Sequence, residues 1–293
     1  MTVVDASGFR ETLADDDIVT TADVRRTRPG QAETDGDVRP LSELLVTQAE
    51  HADVLLVNKC DLATEETVAE TEALLEALNP DAERHRTARG AIDPGAVLNT
   101  GLFSPESLRA AHSRERAVER ADRTARPDQA RDDHDHDGHD HEGHVHDPAG
   151  TYGVTSIAFE SRRPLHPERF ADFLRSLPES VIRSKGLVWV AGRDELALRY
   201  TGTGGVRRVL GREPWVAALS ERRQKSQRRL NPELPWDETV GDRRTELVFI
   251  GRNMDEQALE PALSDCEATD DERAAAGSLS NPFPSEEGEE LRL

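Results

Sequence analysis

The segment DVLLVNKCD, residues 53–61, is the most informative about the structure of the first part of the chain. Its apolar half is a continuous run bounded by polar residues, which is typical of a strand buried on both faces of a parallel sheet. Its polar half follows directly, at the position where an open α/β sheet presents its ligand-binding loops. The stretch therefore predicts a central parallel strand with a binding loop at its carboxyl end.

Strand and helix patterns alternate on both sides of this stretch. An apolar run at residues 1–6 predicts another buried strand, whereas residues 14–40 are rich in Asp, Gly and Pro and predict a long loop. Helical spacing of apolar residues begins at residue 41 and again at residues 64–78. This alternation predicts a parallel α/β sheet.

Composition divides the chain into four parts: residues 1–111, 112–149, 150–266 and 267–293. The first is the α/β part. The second is rich in His and Asp and poor in large apolar residues, and it predicts a disordered linker. The third returns to periodic structure, with locally paired strands and two helices, and predicts a small α+β domain. The fourth is an acidic, Pro-containing tail that we expect to be disordered.

Asn58, Lys59 and Asp61 carry the chemistry of a guanine-recognising loop. The Asp61 carboxylate can accept two hydrogen bonds from the ring N1–H and the exocyclic amino group of guanine, a pair of donors that adenine lacks. The Asn58 amide suits the acceptor edge of the ring, and the Lys59 stem can cover the base. By analogy with bidentate base contacts, the carboxylate is worth roughly 1–3 kcal/mol of discrimination. The alternative is a polar turn; the position behind a buried strand favours the loop.

The phosphate-binding motif of this nucleotide class, G-x-x-x-x-G-K-[ST], requires a lysine that follows a glycine. The three lysines of the chain follow asparagine, serine and glutamine instead, at Lys59, Lys185 and Lys225. Because nucleotide affinity comes largely from the phosphates and Mg²⁺, we expect these residues alone not to hydrolyse GTP. Mg²⁺ is expected only together with a phosphate-binding half, and no catalytic residue is assigned.

Residues 133–147 combine six histidines with interleaved Asp and Glu. The histidines are His134, His136, His139, His141, His144 and His146. Imidazole suits Zn²⁺ and its neighbouring divalent transition metals, and carboxylates add charge and hydrogen bonds around the ion. The tract therefore predicts reversible capture of zinc or a similar ion; the alternative is a spacer that binds metal only incidentally.

The formal net charge of −21, from 58 acidic and 37 basic residues, argues against nucleic acid and anionic membranes as partners. Acid excess with scarce lysine is typical of proteins from salt-loving organisms. The chain shows no signal-peptide pattern and no apolar run of membrane-spanning length, so a cytoplasmic location is expected. A cluster of arginines within residues 222–229 is compatible with docking of an acidic partner and with a solvated helix, and the two alternatives stay open.

Several motifs in a fixed order resemble the CobW-type family of metal-handling GTPases, and the resemblance covers residues 1 to about 266. They are VVDA at 3–6, LLVTQ at 44–48, NKCDL at 58–62, RSKGLVW at 183–189 and ELVFIG at 246–251. The resemblance implies a partial P-loop GTPase parallel sheet, followed by a small α+β C-terminal domain. It also implies GTP binding and hydrolysis and delivery of metal, most often zinc, to a client protein.

Carried over residue by residue, Asn58, Lys59 and Asp61 match the base-recognition motif of the family, whereas Asp5 falls on a later strand than the acid near Mg²⁺ and is expected to be structural. The phosphate-binding motif, the Mg²⁺-region acid and a metal motif of the family lie upstream of the position that matches Met1.

Two functions are therefore expected. The first is a fragment of a GTP-dependent metal chaperone that hydrolyses GTP only when the phosphate-binding half is supplied. The second is a metal-binding or client-docking protein without nucleotide chemistry. A parallel sheet without its first strands has unpaired edges, so a separate N-terminal half or a second copy of the chain is an expected partner.

Overall fold

The computed structural model describes residues 1–14, 18–19, 39–102 and 152–293. The chain divides into two compact units, residues 1–157 with 250–254 and residues 158–249 with 255–293. Most of the predicted loop at 14–40 and the whole predicted linker at 112–149 lie outside the described residues. No helix in the described ranges is both long and apolar enough to cross a lipid bilayer.

The first unit contains a parallel sheet and its helices. Its described elements are β1 (Thr2–Asp5), α1 (Phe9–Ala14), β2 (Ile18–Val19), β3 (Arg39–Pro40), α2 (Leu41–Glu50), β4 (Val54–Asn58), α3 (Glu65–Leu78) and β5 (Glu83–Arg86). The strand order is β1-β4-β5, and both pairings are parallel. The predicted α/β class is confirmed. β2 and β3 form a separate antiparallel pair.

The core of this unit lies on the central strand β4. Leu55 and Val57 are fully buried, and each such side chain contributes roughly 1.5–3 kcal/mol through removal from water. The Thr64 hydroxyl accepts a hydrogen bond from the Thr67 amide and caps α3, as the helix-start pattern predicts. The buried Asn79 amide donates to the carbonyls of Ala49 and Ala52, at 2.9 and 2.8 Å, and so joins the ends of α2 and α3.

A second, larger sheet has six strands in the order β11-β9-β8-β7-β10-β6. Its strands are β6 (Val154–Ser161), β7 (Val181–Val188), β8 (Leu196–Thr203), β9 (Val206–Pro214), β10 (Thr245–Arg252) and β11 (Glu290–Arg292). The helices are α4 (Pro167–Ser176), α5 (Glu221–Leu230), α6 (Glu256–Ser264) and α7 (Asp270–Ala274). The division between the two units falls within β6 and β10. Meander pairing of β7, β8 and β9 is antiparallel, as expected for an α+β domain.

The expectation of a disordered tail at residues 267–293 is wrong. Thr269 and Glu272 form a reciprocal capping box at the start of α7, and β11 pairs antiparallel with β9. Phe283 is 2% exposed, and its ring stacks on Phe170 with 5.6 Å between ring centroids. One apolar anchor and one edge strand thus order a segment whose acidic composition resembles that of a disordered chain.

Candidate nucleotide-binding site

The carboxyl ends of the three parallel strands form the edge that carries the predicted base-recognition loop. Asp5 lies opposite Asn58 in the register of β1 and β4, and Val57 lies opposite Arg86 in that of β4 and β5. The pairing continues past β5, because the Thr87 amide donates to the Val57 carbonyl at 2.8 Å. The strand ends therefore bring three chain segments, after β1, β4 and β5, to one place.

Asn58 is held by the segment that follows β5. Its side-chain oxygen accepts hydrogen bonds from the Thr87 hydroxyl at 3.0 Å and the Gly90 amide at 2.9 Å. The assignment of oxygen and nitrogen follows from these two donors. The Asn58 NH₂ group has no hydrogen-bond partner in the described part of the chain, so it remains available to an acceptor of a ligand.

Lys59 has a backbone conformation that is rare for a residue with a side chain. Its φ angle is 63°, in the left-handed region, which costs an L-residue about 1–2 kcal/mol relative to glycine. Its ammonium nitrogen lies 2.6 Å from a carboxylate oxygen of Asp5. The strained backbone and the ion pair together fix the direction of the lysine stem across the edge of the sheet.

Asp5, expected to be structural, is the partner that positions Lys59. Its other carboxylate oxygen accepts hydrogen bonds from the Ser7 amide at 3.0 Å and the Ser7 hydroxyl at 2.7 Å. Burial raises the pKa of Asp5, but the hydrogen bonds from Lys59 and Ser7 outweigh it, and the net pKa lies below its ordinary value. Asp5 is therefore ionised at neutral pH and keeps the lysine in place.

Asp61 presents a carboxylate with spare acceptor capacity. Its side chain is 32% exposed, and the nearest cationic atom is the Arg89 Nε at 3.7 Å, beyond hydrogen-bond distance. In the described residues no hydrogen bond to this carboxylate is found. The Leu62 amide donates to the Lys59 carbonyl at 2.9 Å and closes the turn that carries Asp61. The carboxylate can therefore accept two donors from a ligand.

The segment from Thr87 to Gly90 belongs to this site, although the sequence motif alone did not point to it. It supplies both donors to Asn58, and the Cys60 amide donates to the Thr87 carbonyl at 3.2 Å. β5, which places the segment, contains only charged residues and histidine, so no apolar pattern marks it as a strand. The available signal was topological: a helix after β4 returns the chain to a neighbouring parallel strand.

The six predicted metal-binding histidines, residues 134–146, lie outside the described residues. In the described ranges no group of three or more His, Cys, Asp or Glu side chains is arranged to hold a metal ion. Cys60, inside the base-recognition loop, is half-buried and donates to the Val57 carbonyl at 3.2 Å. Its contacts are those of a packed side chain.

Two family descriptions match the chain in consecutive regions. Residues 1–86 match the nucleotide-binding domain described as "CobW/HypB/UreG", and residues 154–267 match the "cobalamin synthesis protein cobW C-terminal domain". Three of the residues at the strand edge, Asn58, Lys59 and Asp61, fall in the first match.

Among similar proteins are a zinc-regulated GTPase metalloprotein activator of Dictyostelium discoideum and a zinc chaperone of Mycobacterium tuberculosis. The first is 30% identical over 279 residues, 93% of this chain and 52% of the relative. The second is 30% identical over 125 residues, 42% of this chain and 31% of the relative. This chain thus spans about half the length of the first relative. A Zn(II)-bound YjiA GTPase from E. coli aligns over 91% of this chain and 60% of its own, at 16% identity and a TM-score of 0.35, too low to support an argument.

Proposed function

From the matches of residues 1–86 and 154–267 to the two CobW domains, we propose that the chain is the base-recognising and C-terminal part of a GTP-dependent metal chaperone, with zinc as its cargo. The observation that carries this proposal is the arrangement of Asn58, Lys59 and Asp61 at the carboxyl edge of the parallel sheet. At this edge the Asn58 side chain is oriented by Thr87 and Gly90, and the Asp61 carboxylate can still accept hydrogen bonds. Together they suit a planar base that offers both donors and acceptors.

Each residue of the loop has a chemical role in guanine recognition. Asp61 accepts hydrogen bonds from the two adjacent donors of guanine, and the free NH₂ group of Asn58 donates to the acceptor edge of the ring. Lys59, pinned by Asp5, lays its aliphatic stem over the base. Adenine cannot supply the donor pair, so the carboxylate is expected to favour guanine by roughly 1–3 kcal/mol.

Phosphate binding requires a segment that residues 1–293 do not encode in the form G-x-x-x-x-G-K-[ST]. The amides and lysine of that motif cradle the phosphates, and its hydroxyl holds Mg²⁺. We propose that GTP turnover depends on such a segment being joined to, or assembled with, the three-stranded sheet. Mg²⁺ would enter with it.

A titration with a fluorescent GTP analogue tests this dependence. The 293-residue chain alone is expected to show no saturable binding in the micromolar range and no GTP hydrolysis, with or without Mg²⁺. The same chain extended by a segment that carries the phosphate motif is expected to bind, and Asp61→Asn should remove that binding. Micromolar binding or turnover by the 293-residue chain itself would show that the proposed dependence is wrong.

The histidine tract is proposed as the zinc-capturing part of the protein. A segment with six imidazoles in thirteen residues can fold around the ion that it binds. The six are His134, His136, His139, His141, His144 and His146. The printed names of the Dictyostelium and mycobacterial relatives, which refer to zinc, support zinc as the cargo. Release of that zinc to a metal-requiring client protein is the proposed purpose of the nucleotide cycle.

Calorimetric titration with Zn²⁺ tests the tract. Three proteins are compared: the chain, the chain without residues 133–147, and the chain with the six histidines replaced by serine. The deletion and the serine variant should both lose the same sites, because imidazole rather than carboxylate carries the affinity. Below about pH 6.5 the chain should also release zinc, since protons compete for the imidazoles. Equal zinc uptake by all three proteins would end the proposal.

A second candidate function follows from the same observation on the phosphates. A chain without a phosphate motif can serve as a metal-binding or client-docking protein that uses no nucleotide. The genomic sequence immediately upstream of the codon for Met1 discriminates between the two functions. An in-frame phosphate motif supports the GTP-dependent chaperone, and a stop codon there supports the nucleotide-independent protein.

A further inference from the structure

α5 is a helix without an apolar face. None of the side chains in Glu221–Leu230 is buried, and Leu230 is 72% exposed. Packing therefore does not explain why the helix is present. Its position is fixed instead by hydrogen bonds from the Gln224 side-chain amide to the carbonyls of Ala217 and Leu219, at 3.1 and 2.7 Å. The chain thus holds an exposed polar helix in a defined place.

The charge of this helix is opposite to that of the protein. Residues 221–236 contain two carboxylates, Glu221 and Glu233, and five cations, in a chain whose net charge is −21. The cations are Arg222, Arg223, Lys225, Arg228 and Arg229. In the described part of the chain none of the five lies within 4.0 Å of a carboxylate oxygen. Several arginines elsewhere do pair with carboxylates; Arg169, for example, forms a bidentate contact with Glu272.

Three of these cations line one groove, which we call the α5 groove. Its walls are Lys225, Arg228, Arg229, Asn231, Pro232, Leu234 and Trp236, and its volume is about 430 Å³. Positions three and four apart on a helix are neighbours on its surface, so the three cations project together. The apolar surface of the groove comes from Pro232, Leu234 and the ring of Trp236, which follow the helix in the chain.

The Arg228 guanidinium lies 4.3 Å from the centre of the Trp236 ring. Stacking on an aromatic face orients the guanidinium plane and leaves its N–H donors at the edge. An oriented guanidinium loses less conformational entropy when it forms a bidentate contact with a carboxylate. The groove therefore contains one cation that is already arranged for a carboxylate, beside two others.

We propose that the α5 groove docks an acidic peptide segment of a partner protein, with carboxylates on Lys225, Arg228 and Arg229 and an apolar side chain against Pro232 and Leu234. Carboxylates of the peptide complement the three cations, and an apolar side chain of the peptide complements the apolar wall of the groove. A volume of about 430 Å³ accommodates two or three side chains rather than an extended polymer.

The charge of the whole molecule favours a short acidic peptide over a nucleic acid. At physiological ionic strength the Debye length is about 8 Å, so a short segment in the groove is largely screened from acidic groups elsewhere on the surface. A polynucleotide continues beyond the groove and brings its phosphates close to those acidic groups, which repel it. The groove thus suits a local, peptide-sized anion.

Fluorescence anisotropy with the full 293-residue chain tests this proposal. The probe is a fluorescein-labelled peptide with the repeat Glu-Glu-Leu, and the control peptide has Gln in place of Glu. The test variant is Arg228→Gln with Arg229→Gln. The matched control is Arg175→Gln with Arg292→Gln, which removes the same charge at exposed arginines that already pair with Asp172 and Glu290.

The chain should bind the Glu peptide, and the test variant should bind it roughly fivefold more weakly or worse, while the control variant changes affinity by less than about twofold. Raising NaCl to 1 M should weaken binding as well. Circular dichroism establishes that both variants are folded. Equal affinity of the two variants, equal binding of the Gln peptide, tighter binding of an oligouridine RNA, or self-association through the groove in sedimentation would each overturn the proposal.

Discussion

At the scale of single residues, the left-handed backbone of Lys59 lies in the loop that we propose to recognise guanine. A glycine or asparagine at this position would relieve the strain, yet the chain has a lysine whose ammonium reaches Asp5. Residues in strained backbone conformations of this kind cluster at active sites and ligand-binding sites. The motif identified residues 58, 59 and 61 as candidate site residues. The contact between Asp5 and Lys59 became visible only in the structure, where the strand register places Asp5 opposite Asn58.

Two substitutions at Lys59 separate strain from binding. The free energy of unfolding of Lys59→Gly in urea should exceed that of Lys59→Met by about 1 kcal/mol. Glycine adopts positive φ without a steric penalty, whereas methionine retains that penalty. Both lose the Asp5 ion pair, so that loss cancels in the comparison. Both should also lose guanine recognition. A methionine variant as stable as the glycine variant would show that the backbone at this position is not strained.

Cys266 predicts a dependence of stability on alkaline pH. The thiol is 3% exposed, and burial raises its pKa to about 11. The folded chain therefore holds this proton more tightly than the unfolded chain, whose thiol titrates near its ordinary value of 9.0. The protonated thiol therefore makes its full contribution to the free energy of unfolding below pH 9, and this contribution is lost as the pH rises towards 11.

Urea unfolding at pH 8 and pH 10 measures this effect, with Cys266→Ala as the control because it removes the titrating group. Between these pH values the chain should lose roughly 1 kcal/mol more free energy of unfolding than the alanine variant. A loss of the same size in both proteins would mean that the buried thiol does not titrate as described.

At the scale of elements, apolar patterning and capping were sufficient wherever a segment packs against the core. β4 is buried along most of its length and was predicted from its continuous apolar run, and α3 begins after the Thr64 cap as predicted. β5 and β9 escaped prediction because charged residues leave no alternating apolar pattern in either segment, and their pairing partners make them strands. Only the long-range pairing with β4 reveals β5, whereas β9 follows β8 through the two-residue turn Gly204-Gly205, a hairpin signal that the sequence contained.

The tail after residue 267 shows the same limitation and provides a test. Phe283→Ala should lower the free energy of unfolding by about 3 kcal/mol or more, since a buried aromatic ring that stacks on Phe170 is lost. The Arg193 guanidinium donates to the carbonyls of Phe283 and Pro284, both at 2.8 Å, so the main chain of the tail should also loosen. Leu230→Ala, at a position that is 72% exposed, is the control and should change stability by less than about 0.5 kcal/mol. Similar losses in the two variants would contradict an ordered, packed tail.

At the scale of the whole molecule, the acid excess makes stability depend on salt. The 58 acidic residues outnumber the 37 basic residues, and their mutual repulsion opposes the compact state. Raising NaCl from 0.05 to 1 M shortens the Debye length to about 3 Å, so Tm at pH 7 should rise. The rise should largely disappear near pH 5, close to the sequence pI of about 4.9, where the net charge is small. A Tm that falls with NaCl at pH 7 would show that surface repulsion does not limit stability.

Guanine discrimination by the chain itself tests whether the loop of Asn58, Lys59 and Asp61 recognises the base. Saturation-transfer NMR detects binding in the millimolar range, where about −4 kcal/mol of base contacts alone is sufficient. GMP, AMP and XMP are compared at equal concentration with the chain and with Asp61→Asn, an exchange of similar shape that converts two acceptors into an acceptor and a donor.

Saturation transferred from the chain to GMP should exceed that to AMP at least fivefold, matching a discrimination of roughly 1 kcal/mol or more. In the Asp61→Asn variant the GMP signal should fall and XMP should become the preferred ligand, because the C2 oxygen of xanthine accepts where the amino group of guanine donates. Equal transfer to GMP and AMP, or an Asp61→Asn variant that still prefers GMP, would show that the Asp61 carboxylate does not select guanine.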